Sequence, residues 1–194
     1  MILVISDPEP IDEEHEIINA LFDEGLELFH LRKPGYSEEQ IRHLLKQINN
    51  KYYPKISLHQ YHYLGSEFGI NRLHFSEKNR TTLKIENQKE SLIYSTSMHN
   101  KEDFFNMDFF NYCFYGPVFD SISKEGYKKM RSIDLSEIRK IYTKKIIGIG
   151  GINKDNISVL KEKEYDGAAL LGYIWMSPKD ALTNFNRIKN AWKK

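Results

Sequence analysis

The stretch Ile146-Ile147-Gly148-Ile149-Gly150-Gly151-Ile152-Asn153 and, further on, Ala168-Ala169-Leu170-Leu171-Gly172-Tyr173-Ile174 share one design: a short apolar run that ends in glycine. Neither run has a polar face, so each reads as a strand buried on both sides. Between them, Asp155 to Lys161 has helical spacing. Strand, turn, helix, strand is the repeating unit of a parallel sheet. Glycine at a strand end also lets backbone amides approach a ligand, and the amides that open a following helix favour an anion.

The same unit recurs toward both termini. Toward the N-terminus, Tyr112 to Tyr115 precedes a helix through Leu135, Ile138 and Ile141, and Leu92 to Ser95 precedes one near Lys101 to Phe105. Arg72 to Phe75 is another short run. Lys55 to Leu58 precedes a short helix over Tyr61 to Phe68. Leu26 to Leu31 precedes Ser37-Glu38-Glu39-Gln40, a capping-box pattern that opens a helix through Ile41, Leu44, Leu45 and Ile48. Ile2 to Ile5 precedes a helix over Glu13 to Phe22, with Gly25 at its end. Toward the C-terminus, a last helix runs from Pro178 to Trp192. Asn79 to Glu90 is polar and poorly patterned. Eight strand-like runs predict closure into a TIM (β/α)8 barrel, short and minimal, in one domain over residues 1–194. A doubly wound open sheet is the alternative; it has fewer strands and leaves two edges to cover.

Composition narrows the function classes. Hydrophobic residues are 40% and charged residues 28% of 194, with a net charge of +1. That balance gives no electrostatic case for nucleic acid or a membrane as partner. Met1 to Ile5 is too short and too uncharged for a signal peptide or a span, so a cytoplasmic location is expected. The single cysteine, Cys113, lies in an apolar run and reads as a buried small hydrophobe.

In a barrel the chemistry belongs at the C-terminal strand ends. Gly150, Gly151 and Gly172 end strands seven and eight, where phosphate sites of this fold recur. Ser121, Ser123 and Lys124 follow strand six and offer two hydroxyls and a cation to a phosphate, pyrophosphate or carboxylate; a surface turn has the same composition. Ser97 and His99 follow strand five on one side of the chain, and His99 is suited to moving protons. His30 and Arg32 share a face that points to the barrel interior and mouth, where Arg32 needs an anion or an internal salt bridge. His74 ends strand four, either lining the mouth or supporting it. Trp175 packs under the strand-eight loop.

These residues resemble the thiamine phosphate synthase/TenI family along nearly the whole chain. The resemblance rests on Ile5-Ser6-Asp7, His30-Leu31-Arg32-Lys33, Leu73-His74-Phe75, Ser97-Met98-His99, Gly116-Pro117-Val118-Phe119 with Ser121-Ile122-Ser123-Lys124, Gly148-Ile149-Gly150-Gly151 and Asp166-Gly167. It implies a TIM barrel of thiamine biosynthesis, a phosphorylated thiazole or pyrimidine as small-molecule partner, and a homodimer. One branch of the family joins a pyrimidine pyrophosphate to a thiazole phosphate with Mg2+. The TenI branch isomerises a thiazole carboxylate phosphate tautomer. The sequence departs from the synthase pattern: Pro34 stands where a lysine is expected, with Lys33 adjacent; His59-Gln60 replaces Asn-Asp; and Asn79 is the nearest match to a second Mg2+-binding aspartate, with Glu77 close by. His30, Ser97 and His99 are TenI-like.

Three functions follow as expectations. The first is a metal-independent thiazole tautomerase without cofactor. His99 is the base, Arg32 or Lys124 holds the carboxylate, and the amides near Gly150, Gly151, Gly172 and Tyr173 hold the phosphate. The second is a thiamine phosphate synthase, for which Arg32, Lys33 and Lys124, with Ser121 and Ser123, hold the pyrophosphate and Mg2+ is required. The third is a non-catalytic binder of thiazole or thiamine phosphates.

Overall fold

The computed structural model describes residues 1–80, 89–105, 107, 109–119 and 135–193. Eight parallel strands close into a barrel in chain order, each hydrogen-bonded to its sequence neighbours and the last to the first. They are β1 (Ile2–Ile5), β2 (Leu28–Leu31), β3 (Ile56–Leu58), β4 (Arg72–Phe75), β5 (Ile93–Met98), β6 (Tyr112–Tyr115), β7 (Lys145–Ile149) and β8 (Gly167–Leu170). The helices lie between the strands, except after β5, with two after β8: α1 (Glu14–Asp23), α2 (Glu38–Gln47), α3 (Leu64–Phe68), α4 (Glu77–Arg80), α5 (Ser136–Arg139), α6 (Val159–Glu162), α7 (Gly172–Trp175) and α8 (Ala181–Lys193). The open sheet is therefore excluded.

Alternation along each strand separates two apolar layers. Val4, Phe29, Leu31, Ile56, Leu58, Cys113, Tyr115, Ile146 and Leu170 face the helices and pack with Ile18, Leu21, Leu45, Leu64, Leu160 and Phe185. Leu3, Ile5, Leu28, Tyr112, Phe114, Ile147 and Ala169 face inward and fill part of the barrel. The capping box at Ser37 forms: its hydroxyl accepts from the Gln40 amide and its own amide donates to Gln40 Oε1 at 2.8 Å.

The helices after β5, β6 and β7 are shorter than their sequence spacing suggests. The residues after β5 make only a 3-10 turn over Lys101–Phe104. Before α6, Asn156 Oδ1 accepts from the Asn153 amide and Asn153 Oδ1 from the Asp155 amide, both at 2.8 Å. These side-chain bonds hold turns where a helix would otherwise begin. No helix among the described residues is long and apolar enough to cross a membrane.

Candidate active site

The barrel interior is divided. Its apolar cluster lies on β1, β2, β6, β7 and β8, whereas buried His30, Ser57, His74 and Ser95 occupy inward positions of β2 to β5. Register pairs His30 with Ser57 and His74 with Ser95. A polar chain runs through this half. The Tyr112 hydroxyl is 2.9 Å from His30 Nε2, and His30 Nδ1 is 2.8 Å from His59 Nε2. His74 Nδ1 meets Ser95 Oγ at 2.9 Å, and its Nε2 meets Ser97 Oγ at 3.1 Å.

Burial removes the solvent that would stabilise an imidazolium, and neighbouring positive charges add to the effect. His74 is pushed down to about 3, chiefly by burial and then by His62 and Arg32. His30 is lowered well below the ordinary histidine value by burial, His74 and Arg72, and His59 by burial, His74, His30 and Arg32. All three rings are neutral at pH 7.

Above this core, His99 stands on the turn after β5. Its Nδ1 is 3.1 Å from the Gly116 carbonyl at the end of β6, and its Nε2 is 3.8 Å from a Glu77 carboxylate oxygen after β4. A carbonyl only accepts, so Nδ1 carries the proton and Nε2 carries the lone pair in the neutral ring. The His99 side chain is 48% exposed, enough for a ligand to reach it. Asp103 Oδ2 accepts from the His99 and Asn100 amides at 2.8 and 3.0 Å. Arg80 joins Asp103 at 2.6 Å and donates to the Ser97 carbonyl at 2.8 Å. Burial opposes the Asp103 carboxylate, but these amides and Arg80 outweigh it and hold its pKa below the ordinary value. Asp103 and Arg80 thus fix the His99 turn. Sequence reading missed both, because neither is near His99 in a recognisable motif; Asn100-x-x-Asp103, a capping pattern, was the available signal.

The glycine turns adjoin, as the strands that carry them do: Gly148 pairs with Ala168 and Ile149 with Ala169. Gly150 has φ +98°, and a Cβ there would lie 2.7 Å from Pro117 Cβ, so only glycine lets the β7 turn pass the β6 loop. That loop returns two bonds, from the Val118 amide to the Ile149 carbonyl at 2.8 Å and from the Phe119 amide to the Gly150 carbonyl at 3.2 Å. Gly172 is exposed and opens α7, where a Cβ would meet nothing within 4 Å. As the first residues of a helix, Gly172 and Tyr173 have amides without partners inside it.

Two expected ligand contacts are corrected. Lys33 lies one residue past Arg32, so alternation turns it away from the mouth; its buried ammonium is 2.6 Å from Glu14 on α1 and donates to the Glu9 carbonyl at 2.7 Å. His30 does face inward, but it is fully buried, with both ring nitrogens occupied by Tyr112 and His59. Arg32 is exposed and forms no ion pair with the described residues; its amide and carbonyl are both bonded to the Ser6 hydroxyl, at 2.7 and 2.9 Å. Ser97 is partly exposed, and its hydroxyl is held by His74. Ser121, Ser123 and Lys124 lie outside the described residues. His74 is a buried support beneath the mouth, and Trp175 is buried with its Nε1 donating to the Ile5 carbonyl at 2.7 Å.

The donors present at the ends of β3 and β4 do not fit Mg2+, which takes oxygen ligands in near-ideal octahedral geometry. His59 offers nitrogen. Gln60 is committed to the β2 loop, accepting from the Lys33 amide at 3.3 Å and donating to its carbonyl at 2.7 Å. Among the described residues Glu77 is the carboxylate after β4, and it faces His99 and Arg80.

The fold and its mouth define a (β/α)8-barrel protein whose polar groups converge at the C-terminal strand ends. Residues 2–174 match the family model described as thiamine monophosphate synthase, and the chain belongs to that family. A thiamine-phosphate synthase of Leuconostoc citreum is 23% identical over 171 residues, covering 83% of this chain and 81% of that protein. A crystal structure of a thiamine phosphate pyrophosphorylase from Bacteroides thetaiotaomicron superposes with a TM-score of 0.81 at 28% identity, over 99% of this chain and 97% of that one. The thiamine phosphate pyrophosphorylase of Pyrococcus furiosus, at 20% identity and a TM-score of 0.77 over 99% and 95% of the two chains, shares the fold.

Proposed function

We propose that this enzyme is a thiazole tautomerase, shifting one proton on a thiazole carboxylate phosphate so that the ring becomes aromatic. The observation that carries the reading is the orientation of His99: Nδ1 is committed to the Gly116 carbonyl, and Nε2 is left as a base beside Glu77. Nε2 takes a proton from the ring carbon of the substrate, the electron pair moves into the ring, and the same proton is returned at the second position. The Glu77 carboxylate stabilises the transient imidazolium. Adjacent glycine turns support the assignment of the phosphate to the amides of Gly150, Gly151, Gly172 and Tyr173. Exposed Arg32 is assigned to the substrate carboxylate, with Lys124 as the other cation the sequence offers. Supplied with the tautomer, the wild-type enzyme is expected to convert it by NMR in metal-free buffer; conversion no faster than in buffer alone would refute the proposal.

A second reading, thiamine phosphate synthase, is favoured by the names of the curated relatives. It predicts Mg2+-dependent release of pyrophosphate from the pyrimidine pyrophosphate and thiazole phosphate. No release at saturating Mg2+ ends it.

A further inference from the structure

His30, His59 and His74 each offer one ring nitrogen, and these three atoms lie within 4.8 Å of one another. The rings of His59 and His74 stack at 4.1 Å, and His30 stands edge-on to both. We propose that these histidines form a site for one borderline divalent transition-metal ion of the zinc class, seated in the barrel just below the mouth.

Three arguments support the site. The donors are imidazoles, which suit zinc, cobalt, nickel or copper and not the hard cations. The separations, all within 4.8 Å, are within small side-chain movements of what a tetrahedral ion needs: at about 2.0–2.1 Å from zinc, donors stand about 3.3 Å apart. The His30–His59 spacing of 2.8 Å opens by only about half an ångström to meet that. The outer partners that orient ligating histidines are also in place. Serine hydroxyls stand at both nitrogens of His74, Ser95 at Nδ1 and Ser97 at Nε2, so one of them stays as outer partner when the other nitrogen turns to the ion, and the Tyr112 hydroxyl holds Nε2 of His30. Such partners fix the tautomer and ring angle of a metal ligand.

Three protein ligands leave a fourth position open. His59 is the least buried of the set and follows the end of β3, so we place that position on the side of the mouth. No carboxylate of the described residues belongs to the cluster, and the guanidinium charges of Arg32 and Arg72 bear on its rings. The fourth ligand is therefore an anion: hydroxide, or the carboxylate or phosphate of a small molecule. This inference stands whether or not the proton-shift reading does.

The full-length protein, stripped with chelator and dialysed, is titrated with Co2+ alone. The expected result is one ion per chain with the intense visible absorption of four- or five-coordinate cobalt. Zn2+ should displace it, and a thousandfold excess of Mg2+ should not. His59→Asn and His74→Asn should each weaken binding at least 100-fold, while the distant pair His15→Gln/His43→Gln leaves it unchanged. Should the inner variants not fold, zinc-edge X-ray absorption on the wild-type protein gives the ligand count directly, with three imidazoles expected. A pale six-coordinate cobalt spectrum, fewer than three imidazoles, or unaltered affinity in a folded His59→Asn protein would overturn the proposal.

Discussion

Lys33 and Glu14 illustrate how one position of alternation decides a residue's role. Arg32 reaches solvent at the mouth, whereas Lys33 is driven outward into the layer beneath α1 and needs Glu14 as partner. Burial raises the Glu14 pKa to about 6, with Lys33 opposing the shift. The folded state therefore binds more protons than the unfolded chain between about pH 4.5 and 6, and this group's contribution to stability declines as pH rises through that window. The shift corresponds to roughly 2 kcal/mol. Glu14→Gln should remove this component, which urea unfolding at pH 4.5 and 6.5 would measure as a flatter difference from wild type. Lys33→Met leaves the carboxylate stranded and should cost about 3–5 kcal/mol in the same assay at pH 7. The sequence offered Lys33 as an attractive cation next to Pro34; it could not offer Glu14, whose proximity exists only once α1 packs on the barrel.

At the scale of elements, the glycine turns separate a structural requirement from a functional one. Gly150 permits a backbone conformation and a contact with Pro117 that no side chain tolerates, so Gly150→Ala should destabilise the protein by about 1–3 kcal/mol. Gly172 has open space around it, so Gly172→Ala should leave the melting temperature within about 2 °C of wild type. The added methyl should nevertheless weaken binding of the phosphorylated ligand, read by calorimetry, because it enters the space assigned to the phosphate. Equal affinity in Gly172→Ala would move the phosphate elsewhere. The glycine-ended runs were legible because close backbone approach has a residue signature. The turns before α6 were less so, since Asn153 and Asn156 compete with the helix through bonds that leave no periodic trace.

For the whole molecule, the barrel was readable from eight apolar runs, and closure in chain order follows. What the runs did not disclose is the divided interior. Inward positions on β2 and β4 and the residue just past β3 gather three histidines that are far apart in sequence, and strand register brings them together. Their pKa values are depressed, so the unfolded chain binds more protons below about pH 6.5, and stability falls as pH drops through that range. Three such groups act against the single opposing effect of Glu14. Acid unfolding is expected to take up more than one proton per molecule between pH 6.5 and 5, measured from the pH slope of the unfolding free energy. A flat profile there would mean that the cluster is already protonated in the native state.

The most direct test compares wild type with His99→Asn, in which the amide keeps a hydrogen bond to the Gly116 carbonyl but the imidazole base is gone. Tautomer conversion should slow by about 10²–10⁴-fold in kcat with KM for the phosphorylated thiazole nearly unchanged. A variant as fast as wild type would contradict the account.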